Sequence, residues 1–76
     1  GVEELLIVKV KNRGKLISVQ TAVENRVSSQ IDLFDSYGPK QVKLLKDSIV
    51  MKKGSYIFYC TNAYKDKYEE VFKDAI

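Results

Sequence analysis

Cys60 is the strongest intrinsic nucleophile in this sequence and its only cysteine. A working thiol needs an electropositive, accessible niche that favours the thiolate. Cys60 instead ends the apolar run Ser55-Tyr-Ile-Phe-Tyr-Cys60, with Tyr56 and Phe58 on its own face, and reads as a buried structural residue. No histidine is present, which removes the usual imidazole base, any histidine-assisted nucleophile and the commonest metal ligand. The carboxylate pairs Glu3-Glu4 and Glu69-Glu70 are neighbours in sequence. On a strand or helix they therefore diverge instead of converging on one bond, and they read as solvated charges. Gly14, Gly38 and Gly54 are isolated, so no glycine-rich phosphate loop exists. These residue types predict no catalytic residue, no cofactor and no metal site, and the chain is read as a non-enzyme.

The remaining chemistry is basic. Lys9, Lys11, Arg13 and Lys15 surround the first turn, and Lys40, Lys43, Lys46, Lys52 and Lys53 surround the later strands. If the segment carrying Lys43 is a strand beside the last one, Lys43, Lys46, Lys52 and Lys53 share a surface, and with Arg13 and Lys15 they form the candidate partner-binding set. The net charge of +3, from 13 basic and 10 acidic residues, favours acidic partners but is modest for a dedicated nucleic-acid binder. Tyr37, Tyr56, Tyr59, Tyr64 and Tyr68 could stack on bases or anchor a protein interface, although two or three of them fit better as core-edge residues whose hydroxyl reaches water.

These residues must be positioned by a chain of 76 residues, enough for one domain with a small core. Its 45% hydrophobic and 30% charged content is that of a folded globular domain, and no apolar run approaches the ~20 residues that span a bilayer. A single reduced thiol points to an intracellular setting, cytoplasm or nucleus. The start at Gly1-Val2, without methionine or signal pattern, is read as a tag remnant or as part of a longer protein.

Leu5 to Val10 is an apolar strand, and Asn12-Arg13-Gly14-Lys15 a turn in which Gly14 supplies a positive φ. Leu16 to Gln20 is expected to return as a second strand, closing a hairpin over residues 4–20. Thr21-Ala-Val-Glu24 fits a capping box, and Val23, Val27, Ile31 and Phe34 then line one helical face up to a stop at Tyr37-Gly38-Pro39. Ile31 and Leu33 leave a strand over residues 22–36 as the alternative. Gln41 to Leu45 reads as a third strand, Asp47 to Met51 as a short extended or turn segment, and Ser55 to Cys60 as the central strand after a corner at Gly54. Both faces of that strand are large, and the face of Tyr56 and Phe58 is the one the crossing helix is expected to cover. A C-terminal helix over 62–75 follows, with Asn62 as cap and Tyr64, Tyr68, Val71, Phe72 and Ala75 on one face. Lys65–Glu69 and Glu69–Lys73 are i,i+4 pairs on its outer side.

The order hairpin, helix, strand, crossover, strong last strand resembles the ubiquitin-like β-grasp module over residues 4–60. Thr21-Ala-Val-Glu-Asn25 opens the helix and Gly38-Pro39 precedes the third strand as in such modules. Val42-Lys-Leu-Leu-Lys-Asp47 through Lys53-Gly-Ser-Tyr-Ile57 is similar to the doublecortin type. The C-terminus Asp74-Ala75-Ile76 lacks the Gly-Gly tail of a conjugated modifier. The resemblance implies an α+β fold, with a β-grasp sheet crossed by one helix and followed by a C-terminal helix. It also implies a non-catalytic protein-interaction module that takes tubulin or another acidic protein as partner. A small SH3-like β-barrel with a C-terminal helix, binding nucleic acid through the same lysines, is the alternative.

Overall fold

A computed structural model describes residues 1–76. Tyr56–Thr61 forms the central strand of a three-stranded antiparallel sheet, as its aromatic and β-branched composition predicts. We number the strands in chain order: β1 is Glu4–Lys9, β2 Ile49–Lys53 and β3 Tyr56–Thr61, and the sheet order is β1-β3-β2. Residues 57–61 of β3 are all buried. Lys53 pairs with Tyr56, which leaves Gly54-Ser55 as a two-residue hairpin loop. Gly54 sits at φ 59 while Ser55 keeps a negative φ, the pattern of a type II′ turn that matches the twist of the strands. The positive φ expected at Gly14 is absent.

Three helices complete the chain: α1, Leu16–Phe34; α2, Pro39–Lys46; and α3, Lys65–Ala75. Residues 16–20 are therefore helix, not the second strand of a hairpin. The physical reason is the spacing of Leu16, Val19, Val23 and Val27, which extends the apolar stripe one turn and a half upstream of the expected cap. Thr21 lies within the helix, and the capping work is done earlier by Asn12. Its side chain accepts from the Gly14 amide at 2.9 Å, and its carbonyl from the Lys15 amide at 2.9 Å, in a 3-10 turn over Arg13–Lys15 that feeds α1. Residues 22–36 are thereby helical to Phe34, which excludes the barrel alternative.

Gln41 to Leu45 is likewise helix, the body of α2. Gly38-Pro39 ends α1 as expected and also starts α2, because proline at the first helical position has no amide to leave unpaired. Gly38 is buried in this corner, where an added Cβ would lie 3.0 Å from Phe34 Cδ1. With two of the expected strands helical and β1 antiparallel to β3 at a sheet edge, the topology is not that of the β-grasp. What stands is a mixed α+β domain with a crossing helix and a C-terminal helix.

Strand alternation sorts the core into two clusters. Val8, Val50, Ile57 and Tyr59 face α1, where Val10, Leu16 and Val23 complete the larger one. Ile49, Met51, Tyr56, Phe58 and Cys60 face the other side, covered by Phe72 of α3. The crossing helix thus lies on the Ile57 and Tyr59 face, and α3 takes the face expected for it. Phe72 anchors α3 with its ring 5.0 Å from Phe58 and 6.5 Å from Tyr56. α3 starts at Lys65 with Tyr64 as its cap, so Asn62 is not the cap expected of it; its side chain accepts from the Tyr64 amide at 2.8 Å in the turn before the helix. No helix is long and apolar enough to cross a membrane.

Candidate functional site

α3 rests over β3 and β2 and leaves β1 bare on that side, which opens a groove between α3 and β1. Its floor is Leu5, Ile7 and Phe58, and its walls are Tyr68, Val71, Phe72, Ala75 and Ile76, so every lining residue is hydrophobic in a volume of roughly 330 Å³. Leu5 and Ile7 are each 50% exposed and Val71 67%. The reason is the width of the apolar face on α3: Tyr68, Val71, Phe72 and Ala75 span more of the helix than one sheet contact covers, and Phe72 takes the buried position.

β1 is also an edge strand. The Val10 amide donates to the Ser55 carbonyl at 2.7 Å, continuing the β1–β3 register in which Lys9 faces Tyr56. Hydrogen-bonded pairs alternate along an antiparallel ladder, so Val8, Leu6 and Glu4 also turn their backbone groups to β3. Leu5, Ile7 and Lys9 turn theirs outward. The residues whose side chains floor the groove are therefore those whose amides and carbonyls lie on the free edge.

The expected basic surface is dispersed. Lys43 and Lys46 are exposed on α2, while Lys52 and Lys53 alternate on β2 and point to opposite faces of the sheet. Lys46 borders a shallow depression with Glu24, Val27, Ser28 and Ile31 on the α1 side. Lys53 lies on the α3 side, where its ammonium donates to the Lys73 carbonyl at 2.5 Å and so satisfies the C-terminal end of α3. Arg13 donates from Nε to Ser55 Oγ at 2.9 Å and braces the β2–β3 turn, and Lys15 is exposed at the start of α1. The four lysines do not form one face, because the segment that was to carry Lys43 beside the last strand is a helix.

Several other titratable groups have structural partners. Arg26 of α1 grips Glu4 of β1 bidentately, from Nε at 2.9 Å and from a terminal nitrogen at 2.7 Å. That hydrogen bond holds the Glu4 carboxyl below its ordinary value of 4.5, against the opposing effect of partial burial. Glu69 meets Lys73 at 3.7 Å, the second of the two expected helical pairs. Burial pushes the Cys60 thiol up, with Lys65 opposing, so the thiolate a nucleophile needs is disfavoured. Burial likewise raises the Tyr59 hydroxyl. Thr61 Oγ1 lies 2.6 Å from both Tyr59 Oη and Ser48 Oγ, a buried chain of hydroxyls that ties β3 to the start of β2.

The groove was not anticipated from the sequence. In the sequence Leu5 and Ile7 read only as part of an apolar strand, and Tyr64, Tyr68, Val71, Phe72 and Ala75 as one face of a C-terminal helix. The sequence carries no signal for it, because the groove depends on where α3 comes to rest on a sheet of three strands.

Comparison with known families matches residues 1–62 to the one described as "Domain of unknown function (DUF4358)", and the chain belongs to that family. The match runs from before β1 to just past β3 and stops short of α3. No curated protein and no solved structure matches the chain.

Proposed function

We propose, with membership of that family as the premise and no activity inherited from it, that the chain is a non-catalytic protein-interaction module that receives an extended polypeptide strand at β1 and its groove. The observation that carries this reading is the coincidence of the free backbone edge of Leu5, Ile7 and Lys9 with an all-apolar groove on the same residues. Strand addition uses that combination: main-chain hydrogen bonds give affinity, and alternate side chains of the added strand fill the groove. The opposite edge is less inviting, since β2 carries Lys52 and Lys53, charges of the kind that blunt an edge. Docking of an acidic protein such as tubulin, or of nucleic acid, on Lys43, Lys46, Lys52 and Lys53 has weaker support, because Lys53 is engaged and the others are divided between α2 and β2.

Selection from a displayed library of random peptides tests the reading. Wild-type protein is expected to enrich sequences with apolar residues at alternate positions, and the exposed-site variant Val71→Glu to lose them. Failure to enrich any sequence, or equal enrichment by both proteins, would overturn it.

A further inference from the structure

We infer that the strand received is β1 of a second copy of this chain, paired antiparallel about a two-fold axis through Leu6. The inference rests on the reading of β1 and its groove as an interaction surface, and it adds the identity of the partner. In an antiparallel ladder, residues with outward-pointing backbone groups must face each other. Here those are Leu5, Ile7 and Lys9, together with Glu3 if the ladder extends by one residue. The register centred on Leu6 sets Leu5 across from Ile7 of the copy and Glu3 across from Lys9, and the two-fold repeats both pairs.

The outward series Glu3, Leu5, Ile7, Lys9 is thus complementary to its own reverse, acid to base at each end and aliphatic to aliphatic between. Neighbouring registers lose this match: centring on Ile7 sets Leu5 against Lys9, and centring on Leu5 sets Ile7 against Glu3. Opposed residues share a face of the sheet, so the groove floors of the two copies become one apolar strip walled by Tyr68 and Val71 of each α3. On the other face the 38% exposed Leu6 meets its own copy at the axis. Glu4 falls opposite Val8, and its carboxylate is already held by Arg26, so the seam carries no facing like charges. The result is a continuous sheet in the order β2-β3-β1-β1-β3-β2, closed by an isologous interface.

Sedimentation of the full chain over a concentration series tests the proposal, with far-UV dichroism as a check of folding. A concentration-dependent dimer is expected. Glu3→Lys and Lys9→Glu should each weaken it by roughly tenfold, since each turns both symmetry-related pairs into like-charge contacts, and the double variant should restore it. Oxidation of Leu6→Cys should give a disulfide-linked dimer, while Ile17→Cys, exposed on α1, should not. A monomer at every concentration, a double variant no better than either single, or equal cross-linking at both positions would overturn the proposal. A monomer that still selects alternating apolar peptides would sink the second-copy assignment alone, whereas a monomer that selects none would sink both readings.

Discussion

Phe58 shows how much rests on single side chains in a domain this small. It is fully buried at the centre of β3 and stacks against Phe72, so it joins the sheet to α3. Phe58→Ala should cost ~3 to 5 kcal/mol, of the order of the whole stability of such a domain. Urea denaturation measures this, and a loss below ~1 kcal/mol would show the strand to be peripheral. The same side chain was legible in advance, because an aromatic inside a β-prone run needs no tertiary information to be placed in a core. The exposure of Leu5 and Ile7 was not legible, since it depends on where α3 comes to rest.

At the scale of elements, β1 and α1 are joined across the sheet face by Glu4 and Arg26, both partly exposed. The folded-state pKa of Glu4 is lowered, so the pair's contribution is complete above the ordinary carboxylate value and fades as pH falls through the lowered one. Wild type should therefore lose more stability than Arg26→Gln when urea midpoints at neutral pH are compared with those near pH ~3. Identical losses would remove the pair from the stability of the fold. The elements also show where local reading failed. Leu16 to Gln20 and Gln41 to Leu45 are each five residues long, too short for a period of two to be told from one of 3.6. In the first, Ile17 and Val19 favoured strand locally, and the wider spacing of Leu16, Val19 and Val23, which buries a stripe against β3, decided for helix. Gly38-Pro39 is legible as a stop for one helix, and proline at a first helical position is equally fit to start the next.

At the scale of the whole molecule, charge is spread over both sides of a thin body whose Cα extents are 38 × 25 × 14 Å. A generic oligonucleotide should meet no concentrated cationic face and bind only weakly at low salt. Replacing Lys43, Lys46, Lys52 and Lys53 by glutamine should accordingly change the salt slope of that binding little. A fall of roughly three in the slope, together with sub-micromolar affinity near physiological salt, would show those lysines to act as one phosphate-binding surface.

The pairing of β1 with β3 also imposes an order of events. The helical corner of α1 and α2 and the β2–β3 hairpin close through contacts between sequence neighbours, whereas Glu4 finds Thr61 only by closing nearly the whole chain. Long-range strand pairing of this kind slows folding, because the closure entropy must be lost before the ladder compensates it. As the chain leaves the ribosome, β1 emerges first and its sole partner in the sheet last. Until β3 emerges, the nascent chain therefore carries an apolar strand with both edges open, a state prone to association with other chains.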